Sequence, residues 1–138
     1  MQIENYIGID CGTNTGIAIW NAKKQEFTLL KTCGILDAFK YLASYASIGN
    51  NVFCIENPNL RKWFGNSGRE KLQGAGSIKR DFAIWKEWFD LVGCDFIEIA
   101  PKDIKTKLNA VQFKSYTAIE YRTSVHSRDA AMIVFKRK

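Results

Sequence analysis

YIGIDCGTNTGIAIW, residues 6–20, contains two apolar segments separated by a short polar turn. Residues 5–10 and 16–21 have the apolar and β-branched composition of strands, and Gly12–Thr15 has the composition of the turn between them. The first segment ends on one carboxylate, Asp10. Three explanations are open: the turn holds a phosphate group, Asp10 holds a metal ion, or the stretch is only a hairpin. The rest of the chain has to distinguish between them.

Length and composition indicate one globular domain, residues 1–138. Hydrophobic residues make up 46% of the chain, which is enough to build a core and excludes a disordered protein. No apolar run reaches about 18 residues, so we expect no membrane span, and residues 1–5 lack the features of a secretory signal. The net charge of +6 favours polyanionic partners, although charge alone does not identify nucleic acid.

The four cysteines are far apart in the sequence and have no spacing typical of a zinc site. We expect them to be small core residues in a reducing compartment such as the cytoplasm. They are Cys11, Cys33, Cys54 and Cys94.

Hydrophobic spacing predicts three further strands and three helices. The strands are 26–33, 52–55 and 95–99, and the helices are 35–47, 78–92 and 124–135. The glycine-rich residues 57–76 are predicted to form a loop, with Ser77 as the cap of the helix that follows. Three consecutive strands followed by alternating helices and strands predict an α/β protein with one mixed sheet and helices on both faces.

The helix over 78–92 has a wide apolar face. A second stripe, formed by Ile84, Trp88 and Leu91, lies beside the stripe that includes Trp85. Two explanations remain open. Either the helix is deeply packed within the domain, or the second stripe contacts another subunit.

Two strands of the predicted sheet end on carboxylates, Asp10 and Glu56. If these strands are adjacent and parallel, both side chains lie at the sheet edge where α/β proteins bind ligands. In the last helix, VHSRDAAMIV places His126 and Asp129 on one helical face with Ala130, and this face should pack against the sheet. An inward-facing histidine and aspartate need partners, which the two strand-end carboxylates and bound cations would supply.

Crowded carboxylates suit Mg²⁺ or Mn²⁺, and two such ions can activate water for phosphodiester hydrolysis. His126 would then be a ligand or would contact the nucleophilic water. Each residue also has an ordinary alternative: Asp10 as a turn residue, Glu56 as a solvated strand end, Asp129 as a surface residue, and His126 as a partly buried histidine. The four together are far more specific than any one of them.

These segments resemble the ribonuclease H-like nucleases, and within them the RuvC-like Holliday junction resolvases. The matching pieces are IGIDCGTNTGIAIW, FCIENPN and HSRDAAMIV. In addition, GAGSIKRDFAIW and IAPKDIKTKL are similar to the family's middle helix and Pro-Lys segment. The pieces match in order, spacing and predicted secondary structure over nearly the whole chain, whereas NLRKWFGNSGREKLQ departs from the family's loop.

The resemblance implies a ribonuclease H-like fold whose five-stranded mixed sheet combines a three-strand antiparallel meander with two parallel strands. It implies a crossover junction endodeoxyribonuclease of DNA recombination and repair, which acts as a homodimer on four-way junctions. The family's site holds two Mg²⁺ ions, for which Mn²⁺ can substitute. Its catalytic and metal-binding positions fall on Asp10, Glu56, His126 and Asp129. By the same analogy, Ile84, Trp88 and Leu91 are the expected dimer contact.

The compact length and divergent loop favour a phage or mobile-element origin over a cellular one, hence action in the host cytoplasm. Cations interleaved with aromatic side chains in residues 57–76 predict DNA contact, the alternative being that the aromatic residues pack into the core. We also expect the small first turn to let a DNA backbone approach. The predicted DNA-binding residues are Lys62, Trp63, Phe64, Arg69, Lys71, Lys79, Arg80, Lys102, Lys105, Lys107 and Lys114.

Three rival functions remain. Actin-like ATPases and sugar kinases also begin with a strand, an Asp and a phosphate-binding turn, but they need two domains and leave His126 and Asp129 unexplained. A non-catalytic nucleic-acid-binding protein on the same fold would lack at least one of the four site residues, and all four are present. A related nuclease that cuts forks, flaps or RNA–DNA hybrids is the hardest to exclude, because a fold does not fix the substrate.

Overall fold

The computed structural model of the chain describes residues 2–60, 69–104 and 107–138, and it describes the side chains of the longest helix from Gly76 onward. The strands are β1 (Asn5–Asp10), β2 (Asn14–Asn21), β3 (Glu26–Gly34), β4 (Asn51–Glu56) and β5 (Phe96–Ile99). The helices are α1 (Ile35–Ala46), α2 (Arg69–Val92), α3 (Ala110–Thr117) and α4 (Val125–Val134). None of the helices in these ranges is long and apolar enough to cross a membrane.

The five strands form one mixed sheet in the order β3-β2-β1-β4-β5. β1, β2 and β3 are an antiparallel meander, while β4 pairs parallel to β1 and β5 pairs parallel to β4. β1 and β4 stay in register up to Ile9 opposite Ile55. This confirms the predicted sheet, and it places the next residue of each strand, Asp10 and Glu56, at the same edge.

Alternation of side chains along the central strands divides the core into two halves. On one face, the isoleucines of β1 and β2 and Phe53 of β4 pack with α1 and α2. On the other face, Ala18 and Cys54 pack with α3 and α4. Helices therefore cover both faces, as predicted. By the same alternation, Asp10 and Glu56 belong to the face that α4 covers.

Helix α4 lies close to β1 and β2 because both strands present a glycine to it. A Cβ on Gly8 would overlap the backbone carbonyl oxygen of Ala130, and a Cβ on Gly16 would overlap that of His126. The space that Gly16 leaves is therefore filled by α4. The approach of a DNA backbone to the turn Gly12–Thr15 stays a prediction.

Two helices differ from the prediction. Helix α2 already begins at Arg69, so the predicted loop is wrong from that residue onward, and Ser77 lies inside the helix instead of capping it. Residues 69–73, REKLQ, are mostly strong helix formers, and their propensity outweighs the glycines that follow, each of which costs about 1 kcal/mol. Helix α3 is absent from the prediction, although the capping box formed by Asn109 and Gln112 was its sequence signal.

The second apolar stripe of α2 is divided between the core and the surface. Trp88 is half-buried, and its ring stacks on Phe39 with centroids 5.3 Å apart. Most of Trp88 therefore packs within the chain, and a subunit contact through its exposed part stays a prediction. Ile84 and Leu91 are exposed, Leu91 by 82%. A subunit contact through these two residues stays a prediction.

The cysteines are all free thiols, as expected. Cys54 is buried in the core, whereas Cys11, Cys33 and Cys94 are half-buried. All four pack in or against the core, as predicted, and three of them lie at its edge. Cys11 follows Asp10 at the edge of the sheet.

Candidate active site

The ends of two neighbouring parallel strands position Asp10 and Glu56. The apolar residues before each carboxylate, Ile9 and Ile55, are completely buried. Core packing therefore holds each strand in place up to the residue before its carboxylate. The carboxylates then lie at the carboxyl edge of the sheet, on the side that α4 covers. As in other open α/β sheets, this edge is where a ligand site is expected.

Helix α4 contributes His126 and Asp129. Its start is fixed by Ser124, whose side chain accepts a hydrogen bond from the backbone N–H of Ser127, while the Ser127 hydroxyl accepts one from Ser124 in return. Two residues into the helix, the Nδ1 atom of His126 lies 3.0 Å from Oδ2 of Asp10. The structure therefore brings a residue of β1 and a residue of α4 into direct contact, 116 positions apart in the sequence.

Asp129, three residues after His126, is held by the chain segment that precedes α3. One carboxylate oxygen, Oδ1, accepts a hydrogen bond of 2.9 Å from the backbone N–H of Lys107. Lys107 has a left-handed backbone conformation, with φ of 62°. Such a conformation is uncommon for a residue with a Cβ, so the surrounding contacts must hold it in place.

Arg128, which the sequence did not point to, holds the residue next to Lys107. This arginine is buried, and its Nε atom donates a 2.9 Å hydrogen bond to the carbonyl oxygen of Leu108. Its Nη1 atom donates to the carbonyl oxygen of Thr123 at 2.8 Å. Arg128 thus ties the segment beside Lys107 to the start of α4. An arginine on a short helix carries no sequence signal for such a role, because its partners are backbone carbonyls.

Burial raises the pKa of Asp10 from 3.8 to about 6. The hydrogen bond from His126 acts in the opposite direction, since it favours the charged form. The negative charge of Asp129 raises the pKa further, and the positive charge of Lys107 lowers it. Because burial outweighs the favourable contacts, Asp10 holds a proton more tightly than an exposed aspartate does.

These residues line one cleft of about 680 Å³ between the sheet edge, α2 and α4. All four predicted site residues, Asp10, Glu56, His126 and Asp129, contribute to its wall. Asp81 of α2 also lines the cleft and is only 7% exposed, and the sequence analysis missed it. Its signal was present: Asp81 precedes the buried Trp85 by four residues, which places a carboxylate on the inward stripe of an amphipathic helix.

The carboxylates that line the cleft are the type of ligand that a hard divalent cation prefers. Mg²⁺ and Mn²⁺ both prefer carboxylate oxygens, and the burial of Asp10 is a cost that a cation would offset. In the part of the chain that the structure describes, no three His, Cys, Asp or Glu side chains lie close enough together to enclose one ion. The residues that fit a cation best are therefore spread along the wall of the cleft, with Asp10 central.

The predicted DNA-binding residues are only partly described. Lys62, Trp63, Phe64 and Lys105, together with the side chains of Arg69 and Lys71, lie outside the described residues. Lys107 lines the cleft itself. The remaining four are exposed, and Lys114 of α3 pairs with Glu120, which follows the helix, at 3.8 Å. They are Lys79, Arg80, Lys102 and Lys114.

Comparisons with known proteins show a likeness at the level of structure. No protein-family model matches the sequence, and no curated protein sequence matches it either. Among solved structures, the chain is similar to RuvC from T. thermophilus, solved in complex with a Holliday junction substrate. The two chains have 11% sequence identity and a TM-score of 0.60, and the match covers 96% of this chain and 91% of that one. The chain therefore has the RuvC-like form of the ribonuclease H-like fold.

Proposed function

We propose that this chain is a metal-dependent endonuclease that resolves four-way DNA junctions by phosphodiester hydrolysis. The observation that carries the proposal is the cleft that Asp10, Glu56, His126 and Asp129 line at the carboxyl edge of the sheet. The fold shared with T. thermophilus RuvC, whose structure contains a Holliday junction, supports the choice of substrate.

Asp10, Glu56 and Asp129, with His126, would hold two divalent cations, Mg²⁺ or Mn²⁺. When bound, these ions would supply an activated water and charge neutralisation at the leaving oxygen. The buried carboxylate of Asp10 favours this, because its raised pKa reflects a charge that has lost its hydration and has only partial compensation within the chain.

His126 has a defined part in this proposal. Its Nδ1 atom engages Asp10, and if Nδ1 carries the proton, Nε2 is an acceptor. Nε2 would then either accept a proton from the attacking water or serve as a ligand, and contact with Asp10 would fix the orientation of the ring in both cases.

Positive charge around the cleft would hold the DNA backbone. Lys107 lines the cleft, and Lys79 and Arg80 follow two other residues of its wall, Ser77 and Ile78. The net charge of +6 acts in the same direction. Two symmetrical cuts need two active sites, so we propose a homodimer whose contact includes the exposed face of α2.

A cleavage assay on a panel of labelled substrates tests the function. The panel contains a four-way junction, a fork, a flap, an RNA–DNA hybrid and a linear duplex, each with Mg²⁺, Mn²⁺ or EDTA. Paired nicks in the junction that need a divalent metal are the expected result. Equal cutting of forks or flaps would keep the nuclease and remove the junction preference. Tight junction binding without cutting under any metal condition would contradict the catalytic assignment.

A further inference from the structure

Asp81 is a buried charge on α2 that the four-residue site leaves unexplained. It is 7% exposed, and its neighbours on the helix, Phe82 and Trp85, are 3% and 0% exposed. A carboxylate in such surroundings is costly unless partners compensate its charge. An apolar residue at this position would avoid that cost, as Phe82 and Trp85 do at the next inward positions of the helix.

The compensation that Asp81 receives within the described residues is weak. Its ion pair is with Arg80, whose Nη2 atom lies 3.7 Å from Oδ1. The Arg80 side chain is 66% exposed and also donates a hydrogen bond to Ser77. Exposed pairs at this distance contribute little to stability, because water screens them and the long side chain loses freedom. Arg80 is therefore an insufficient reason for a buried carboxylate.

Helices α2 and α4 cover opposite faces of the sheet, and both line the cleft at its edge. Asp81 borders the cleft from α2, whereas His126 and Asp129 border it from α4. Asp10 and Glu56, at the ends of β1 and β4, belong to the sheet edge between the two helices. Asp81 is therefore the acidic side chain that the α2 side contributes to the cleft.

We propose that Asp81 is a fifth cation-binding side chain of this cleft, acting through the hydration shell of a divalent ion on the α2 side of Asp10. The proposal rests on the function proposed above. A contact through water fits the structure, because no three acidic, histidine or cysteine side chains among the described residues are close enough to enclose an ion directly. Mg²⁺ also keeps several of its waters when protein carboxylates bind it. Asp81 is therefore a positioning residue for the ion.

Calorimetric titration of Mn²⁺ into the DNA-free protein tests this role, with Asp81→Asn compared with Asp90→Asn. Asp90 is an exposed aspartate on the same helix and does not line the cleft, so its variant removes the same charge at a position outside the cleft. We expect Asp81→Asn to weaken Mn²⁺ binding about 10- to 100-fold, the usual effect of losing an outer-shell partner. Asp90→Asn should bind as the wild type does. Cleavage by Asp81→Asn should recover at high Mn²⁺ concentration.

Two further variants separate the possible failures. Arg80→Ala removes the ion-pair partner of Asp81, and it should leave Mn²⁺ affinity in the DNA-free protein unchanged or higher. If Asp81→Asn binds Mn²⁺ as tightly as the wild type while Asp10→Asn does not, the role of Asp81 is wrong and the proposed function stands. If the wild type itself binds no Mn²⁺, the proposed function is wrong, and the role of Asp81 with it.

Discussion

Replacing Asp10 with Asn should stabilise the metal-free protein while it abolishes cleavage. Burial raises the pKa of Asp10 from 3.8 to about 6, so the folded state prefers the neutral form more strongly than the unfolded chain does. Stability from the protonated form is fully present below pH 3.8 and is lost as the pH rises through 6. Asn has no charge to bury, and its amide oxygen preserves an acceptor for Nδ1 of His126.

The magnitude follows from the two pKa values. At pH 7.5 the charged Asp10 should lower the free energy of unfolding by on the order of 3 kcal/mol, and at pH 5 by about half of that. Asp10→Asn should recover most of this difference. Because a bound divalent cation would offset the same buried charge, saturating Mg²⁺ should stabilise the wild type and reduce its difference in stability from Asp10→Asn.

Urea denaturation in EDTA at pH 5 and pH 7.5 measures the effect, with Asp90→Asn as the control for the loss of one acidic charge. Asp90 is exposed on α2, so its variant should change the free energy of unfolding little at either pH. The reasoning is refuted if Asp10→Asn is no more stable than the wild type at pH 7.5, or if its advantage does not grow between the two pH values.

Three other predictions concern the packing around the site and the proposed dimer contact. Gly16→Ala should lower the free energy of unfolding by about 2 kcal/mol or more and displace His126. The control variant Gly34→Ala, whose Cβ meets open space, should do neither. Urea denaturation compares the two variants. Arg128→Met should lower the free energy of unfolding by about 3 kcal/mol in the same assay, because the carbonyl oxygens of Leu108 and Thr123 lose a charged donor. It should also speed hydrogen exchange at the Lys107 amide. Leu91→Glu should lower self-association in sedimentation velocity without changing the stability of the monomer; an unchanged sedimentation coefficient would contradict a contact at this position.

The sequence predicts the sheet well because its signals are local. Alternating apolar residues mark the strands, and the position of Asp10 after Ile9 fixes the face on which its carboxylate lies. Adjacent parallel strands then bring Asp10 and Glu56 together, which the element order already suggests. His126 and Asp129 follow from helical spacing, since both lie one or two turns before the buried Ile133.

The parts that the sequence does not predict depend on contacts between distant segments. Asp81 lies on the inward stripe of its helix, but its place on the cleft wall appears only when α2 packs beside the sheet edge. The start of α2 depends on propensities that compete with two glycines. Arg128 and Lys107 gain their roles only when α4 lies beside the segment before α3. The need for glycine at position 16 also depends on a distant segment, because His126, whose backbone a Cβ would overlap, is 110 residues later in the sequence.

The most direct test of the central claim is single-turnover cleavage of a four-way junction labelled on each strand, with wild type and Asp10→Asn compared in Mn²⁺ and in EDTA. The account predicts paired, symmetrical nicks by the wild type in Mn²⁺ alone. It also predicts that Asp10→Asn binds the junction with similar affinity and leaves it uncut. Cleavage in EDTA, or cleavage by Asp10→Asn at the wild-type rate, would contradict the assignment of this cleft as a metal-dependent nuclease site.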